Sequence, residues 1–356
     1  MSTVIEYKCP HCGAILEFDP SLQQMRCPYC DSSFSVEDAS QDVKIESEAA
    51  ELDNEQFGSE GEGFGLYNCS SCGAEIIADE TTAATHCPYC SSPVILTGRI
   101  ADELKPDLII PFEVSREEAK LALKKHFKDK KLLPKVFTDE NHLDEIKGVY
   151  LPFWLFDTEA SCDARYKTTK INTWTDGRNN YTETKEYAVD RSGTLGFDNI
   201  PVDALKNVEN DLTESLEVFD ISKAVPFNTA YLSGYFANRY DDKMEDCFRR
   251  AKERIVNSIT SSVDSTVTGY SSVNRLSCNV RLYNTRSHYA MFPVWILNTS
   301  WRGQHYLFAM NGESGKFVGN LPLDKGRYWL KRIIYGLIIA VVIFIVWSFF
   351  SGRLPL

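Results

Sequence analysis

Positive charge is scarce in this sequence. Thirty-eight lysines and arginines face 50 acidic residues, a formal net charge of −12. Nucleic-acid binding needs a basic face, so this balance argues against that class. A basic and apolar run is also missing from the start, MSTVIEYKCPHC, so no signal peptide is expected. A working phosphate loop is absent too. Asn311-Gly312-Glu313-Ser314-Gly315-Lys316-Phe317 imitates one, but Met310 occupies the first required glycine and Phe317 the required Ser or Thr. It reads as a hairpin turn. His126, His142, His288 and His305 have no Cys, Ser or carboxylate constellation near them in sequence. No catalytic residue is identified, and the chain is expected to be non-enzymatic.

What the sequence does have is cysteine, in an uneven distribution. Eight of the eleven cysteines precede residue 91, all in C-x-x-C pairs. The remaining three, Cys162, Cys247 and Cys278, are scattered. A secreted disulfide framework would seldom be so paired and also leave an odd number, so a reducing compartment fits better. The first set reads Cys9-x2-Cys12-x14-Cys27-x2-Cys30, and the second Cys69-x2-Cys72-x14-Cys87-x2-Cys90. The surroundings repeat as well: YKCPHCGA matches YNCSSCGA, and RCPYCDSS matches HCPYCSSP.

CPYC alone would suit a thiol oxidoreductase site, but that chemistry needs no second C-x-x-C upstream. A zinc ribbon does need one. Two tight turns each present two thiolates, and the strands between them complete a tetrahedral S4 site. Gly13 and Gly73 follow the first pair of each set, where the turn favours positive φ. Two structural Zn2+ ions are therefore expected, held by Cys9, Cys12, Cys27 and Cys30 and by Cys69, Cys72, Cys87 and Cys90. Metal binding would supply the folding free energy that modules of about 30 residues cannot draw from a core. Each site would add a net −2, taking the charge to about −16. Closed S4 sites leave no open position for catalysis. His11 and His86 read as surface residues of the turns rather than ligands. Residues 67–98 contain no Lys or Arg, so protein contact is favoured over nucleic acid.

The 356 residues divide, on this reading, into a first ribbon at 1–36, an acidic disordered linker at 37–66, a second ribbon at 67–98 and an antiparallel α+β domain at 99–330. The linker carries ten acidic residues and one lysine, and would let the first ribbon range away from the second. Val43, Ile45 and Leu52 within it could instead form a short partner-binding helix. In the α+β region, Ser115 and Glu118 form a capping box ahead of one helix. Met244, Cys247, Phe248, Ala251, Ile255 and Ile259 stripe a second helix near 241–259, which makes Cys247 a core thiol. Asp176-Gly177 and Asn311-Gly312 mark hairpins. The segment 149–158 resembles 289–299, with Pro152, Trp154 and Thr158 matching Pro293, Trp295 and Thr299, so the domain could be two repeats of one helix-plus-sheet unit. Seven lysines between Lys120 and Lys135 form either a solvated face or a contact for anionic lipid or an acidic partner.

Ile333 to Phe350 holds no charge across 18 residues. As a helix it would rise roughly 27 Å, close to the ~30 Å hydrocarbon core. A C-terminal transmembrane helix at 333–350 with a short extracytoplasmic tail at 351–356 is expected, which makes the chain tail-anchored. Lys325, Arg327, Lys331 and Arg332 precede the run and only Arg353 follows, so the N-terminal domains would be cytoplasmic and the protein single-pass in the plasma membrane.

Twin CPYC ribbons, the acidic linker, the LPFW and MFPVW segments and the apolar C-terminus together resemble the membrane-anchored zinc-ribbon proteins of Gram-positive bacteria. These are labelled as transcription-factor-IIB-type zinc ribbon proteins or as primosomal-protein-N′-like. The helicase part of that label finds no Walker motif here. The resemblance implies a role beside SPFH-domain and phage-shock-type envelope-stress proteins, and the reading preferred here is a non-enzymatic cytoplasmic adaptor or scaffold fixed to the membrane. Tethered nucleic-acid binding and CPYC thiol oxidoreduction are the alternatives.

Overall fold

The computed structural model describes residues 4–41, 64–68, 75–79, 82–87, 92–96, 105–128, 130, 132–138, 143–205, 215–216, 219–319 and 325–350. The N-terminal part contains β1 (Val4–Ile5), β2 (Glu17–Asp19), β3 (Gln24–Arg26), β4 (Ser33–Phe34) and the short helix α1 (Val36–Gln41). Next come β5 (Phe64–Asn68), β6 (Glu75–Asp79), β7 (Thr82–His86) and β8 (Pro93–Leu96). The body follows with β9 (Leu108–Ile109), α2 (Arg116–Lys128), β10 (Lys147–Thr175), β11 (Asn180–Asp203), β12 (Val225–Pro226) and β13 (Phe236–Asn238). It ends with α3 (Met244–Ser265), β14 (Ser272–Trp301), β15 (Gln304–Asn311), β16 (Phe317–Gly319) and α4 (Lys325–Phe350).

The three long strands organise the body. β10 holds 29 residues, β11 24 and β14 30, so β10 alone is roughly 95 Å of extended chain. β11 and β14 flank β10, both antiparallel. The matched segments 149–158 and 289–299 lie in adjacent strands, with Tyr150 opposite Pro293 and Pro152 opposite Met291. Along β10, Ala160, Cys162, Ala164, Tyr166 and Thr168 alternate inward while Asp163, Arg165 and Lys167 stay exposed. Period-two alternation of this kind marks a sheet with one covered face. The cover is α3, whose Cys247, Ala251, Ile255, Ile259 and Val263 are buried at steps of four. The anticipated helix at 241–259 thus starts later, at Met244, and runs on to Ser265. Past Thr169 on β10 the arm narrows to the β10–β11 hairpin, closed by a turn in which the Asp176 carboxylate accepts from the N–H groups of Arg178 and Asn179.

The second core lies around Phe112, which is fully buried. It stacks on Tyr235 at 4.3 Å and meets Tyr150 and Trp295 edge-on or tilted at 5.0 Å. Helix α2 closes this core with Ala119, Leu123 and Phe127. Its capping box is formed: Ser115 N–H donates to Glu118 Oε2 at 2.9 Å, and Glu118 N–H to Ser115 Oγ at 3.3 Å. Gly148 has no room for a side chain, because a Cβ would stand 2.6 Å from the Tyr235 ring. The Asn311-Gly312 stretch is a turn between β15 and β16, and Asn311 Oδ1 accepts from the N–H groups of Glu313 and Ser314.

Two expectations are corrected. The ribbons are not loose modules beside an independent α+β domain. β1 pairs with β8, β8 with β7, and β7 with β13, so both cysteine-bearing regions feed one 11-stranded sheet. The first ribbon therefore does not range away. β-strand pairing across that distance satisfies backbone groups that a separate module would leave to water. The supposed linker is also ordered at both ends, by α1 and by β5; its residues 42–63, with Val43, Ile45 and Leu52, lie outside those described.

The second correction concerns the membrane. The apolar run lies in the 26-residue helix α4. Among the described residues, no helix is long and apolar enough to cross a membrane. The transmembrane helix, the tail-anchored topology and the single-pass plasma-membrane location read from the sequence are thus unsupported.

Candidate metal centre

The first cysteine set converges. The four Sγ atoms of Cys9, Cys12, Cys27 and Cys30 all lie within 4.8 Å of one another. Cys9 Sγ is 3.6 Å from Cys30 Sγ, and Cys12 Sγ is 3.5 Å from Cys27 Sγ. A regular S4 tetrahedron with Zn–S of about 2.3 Å has edges of about 3.8 Å. The cluster could therefore hold one metal ion, and its all-sulfur donor set is that of a zinc ribbon.

Each turn builds its half of the cluster the same way. Gly13 N–H donates to Cys9 C=O at 2.8 Å and Cys9 N–H to Ala14 C=O at 2.7 Å. In the second turn Asp31 N–H donates to Cys27 C=O at 3.0 Å and Cys27 N–H to Ser32 C=O at 2.9 Å. The residue after the second cysteine takes positive φ in both, +75° at Gly13 and +55° at Asp31. Asp tolerates that region better than most residues. Arg26 then holds Asp31 from outside, at 2.9 Å. The sequence marks Gly13 but gives no warning of Asp31.

Cys9 and Cys27 are buried while Cys12 and Cys30 face solvent. The Ser32 hydroxyl and backbone N–H lower the Cys30 thiol to about 6, so it ionises readily. At Cys12 the Ala14 N–H pulls downward, yet Cys27, burial and the other two thiols together push it up to about 12. His11 is not a ligand: its Nδ1 is 2.9 Å from Ser32 Oγ and its ring packs edge-on against Phe34. Of the second set only Cys87 is described, and it is buried; Cys69, Cys72 and Cys90 lie outside the described residues. Cys87 N–H donates to Ser92 C=O at 2.9 Å, the counterpart of the bond at Cys27. His86 is half-buried against Phe236 at 5.1 Å rather than on the surface.

The first ribbon is bolted to the body. Ser233 Oγ donates to Leu16 C=O at 2.6 Å, and Phe18 N–H donates to Ser233 C=O at 3.1 Å. Gln23 Nε2 donates to Phe112 C=O at 2.8 Å, and Asn228 Nδ2 reaches Ser40 Oγ of α1 at 2.9 Å. Between ribbon and body runs a groove of about 870 Å³. Glu17, Asp19, Asp31, Glu117, Asp144 and Glu145 line it, against Arg26, Arg116 and Lys147. Arg26 is already paired with Asp19 and Asp31. Burial holds the Glu17 carboxyl above the ordinary carboxylate range.

The other expected sites are dispersed. Cys247 is fully buried in α3, and burial pushes its thiol up to about 12 although Arg250 lowers it. Of the seven lysines, Lys120 is paired with Asp144 at 2.8 Å. His126 stacks on Phe317 and His288 lies 3.8 Å from Asp157. The chain is similar to the uncharacterized protein YdjG of Bacillus subtilis (strain 168), 33% identical over 340 residues, 95% of this chain and 96% of that protein. No family model matches the chain. No solved structure matches it either.

Proposed function

From the premise that this chain belongs to the family of Bacillus subtilis YdjG, we propose that it is a non-enzymatic zinc-ribbon adaptor that binds a protein partner. Two structural zinc ions hold its N-terminal region, one on Cys9, Cys12, Cys27 and Cys30 and one on Cys69, Cys72, Cys87 and Cys90. The convergence of the first four sulfurs carries this reading, and the identical spacing of the second set extends it. A closed S4 site has no position for substrate, so the metal shapes a surface and does no chemistry. The surface is the groove between ribbon and body. Its excess of carboxylates favours a partner segment bearing Lys or Arg and disfavours a phosphate backbone. A protein of the SPFH-domain class, which the sequence resemblance implies, is the first partner to test.

The experiment uses the full chain purified without added zinc. Metal analysis should return about two zinc ions per chain, with the eight paired thiols shielded until a chelator is added. Immobilised chain should then retain the candidate partner, and Glu117→Lys with Glu145→Lys should weaken that retention at unchanged metal content. Zinc-free chain with freely oxidised CPYC pairs would overturn the adaptor reading in favour of redox chemistry. Salt-sensitive retention of DNA or RNA in place of protein would overturn it in favour of nucleic-acid binding.

A further inference from the structure

Two of the three scattered cysteines meet. Cys162 of β10 and Cys278 of β14 are 116 positions apart in sequence, yet their Sγ atoms are 3.0 Å from each other. They are diagonal neighbours, since Cys162 stands opposite Val280 and Ala164 opposite Cys278. Both point toward α3, where Thr260 Oγ1 lies 3.6 Å from Cys278 Sγ. Cys162 is 1% exposed and Cys278 half-buried. Neither belongs to the cysteine sets of the ribbons. Closing the remaining gap to a bond of about 2.05 Å needs a movement of only about 1 Å.

We propose that Cys162 and Cys278 are a reversible redox pair, forming a disulfide that staples β10 to β14 beneath α3 when the chain meets a peroxide. Cys278, the more accessible, reacts first. Its thiolate attacks one peroxide oxygen, an S–O bond forms as the O–O bond breaks, and the displaced hydroxide leaves as water after taking a proton. The Cys162 sulfur then attacks the sulfenic sulfur; the S–S bond forms, and the sulfenic oxygen leaves as a second water carrying the Cys162 proton. Two thiols and one hydrogen peroxide thus give one disulfide and two waters, with two electrons passed to the peroxide. A small dithiol reverses the step by thiol–disulfide exchange. Burial and the neighbouring Cys278 push the Cys162 thiol up to about 12, which suits it to the second, resolving role: it stays a thiol until an electrophilic sulfur is beside it.

The test takes full-length, metal-loaded chain through graded hydrogen peroxide, blocks residual thiols with N-ethylmaleimide and digests with trypsin without reductant. The expected product joins the peptide 148–165 to the peptide 276–281, disappears with dithiothreitol and forms before the ribbons release zinc. The Cys162→Ser variant should leave Cys278 as a sulfenic acid that a dimedone probe captures, and Cys278→Ser should abolish the cross-link while Cys162 remains alkylatable. The wild-type digest decides the matter without any variant. Recovery of both cysteines as maleimide adducts at a peroxide dose that already ejects metal would overturn the proposal, and so would a cross-link from either cysteine to a ribbon thiol.

Discussion

Ser233→Ala is the sharpest probe of whether the first ribbon is part of the body. Ser233 is 2% exposed, and its hydroxyl donates to Leu16 C=O, whose residue is 1% exposed. Alanine removes the donor, keeps the fold of the loop, and leaves that carbonyl without its hydroxyl partner in a site water does not reach. A buried acceptor stranded in this way costs about 1–3 kcal/mol. With 1.4 kcal/mol per factor of ten, undocking of the ribbon should become roughly 5- to 150-fold more frequent. The reporter is next door: Phe18 N–H donates to the Ser233 carbonyl across the junction, and that amide exchanges only when the junction opens. Hydrogen exchange followed by mass spectrometry on the full chain should show faster labelling of the segment around Phe18. Labelling of the β10–β14 arm should not change. Metal content should stay at the wild-type value, because the cysteine turns do not touch Ser233. Unchanged exchange at Phe18 would refute the docked arrangement. Faster exchange accompanied by metal loss would refute the separation of docking from ribbon folding.

Further outcomes concern the body and the groove. Arg250→Ala removes the cation whose Nη1 reaches the buried Asp203 carboxylate at 3.0 Å; unfolding in urea should lose about 1–3 kcal/mol, and a loss below about 0.5 kcal/mol would refute a stabilising role for this ion pair. For Glu17 the sign is set by burial, which raises the folded value above the unfolded one. The native chain then binds that proton more tightly, so stability falls as pH rises through the ordinary glutamate range and the raised folded value, and the full penalty persists above it. Glu17→Gln should therefore gain stability over wild type as pH rises from about 4, the ordinary glutamate range, through the raised folded value, and urea midpoints that stay parallel over that rise would contradict the assignment.

Local rules made part of this fold legible. The capping box at Ser115 and Glu118, the stripe from Cys247 to Ile259 and the Asp176-Gly177 and Asn311-Gly312 turns depend on residues within a few positions of each other, where side-chain chemistry decides. The four sulfurs of the first set meet across 21 positions, and they were legible because two C-x-x-C turns at ribbon spacing imply one S4 site. What was hidden is non-local. Nothing in Val4-Ile5 announces Ile95 and Leu96 as partners, and nothing in Cys162 announces Cys278. The strand lengths were hidden too. β10 reads in sequence as an apolar block, LPFWLF, followed by an alternating one; the change reflects a strand covered on both faces at its root and on one face farther out. The apolar C-terminal run was read from its length, its lack of charge and its basic flank, yet among the described residues no helix is long and apolar enough to cross a membrane.

The position of the ribbons in the sheet has a consequence for how metal and partner are coupled. β1 enters the sheet just before Cys9, and β7 ends one residue before Cys87. The strands that frame the cysteine turns are therefore the strands that dock the N-terminal region on β13 and, through it, on β10. Groove residues come from both sides of this joint: Asp19 and Arg26 from the ribbon hairpin, Glu117 and Lys147 from the body. A metal ion that holds Cys9 and Cys27 in place thus also fixes the distance between the two walls of the groove. Loss of metal need not unfold the β10–β14 arm, whose core beneath α3 contains no ribbon residue among those described. It would instead release one wall. Partner binding should accordingly fail at chelator concentrations that leave the α3-covered arm folded, and coincident loss of both would place the arm and the ribbons in a single cooperative unit.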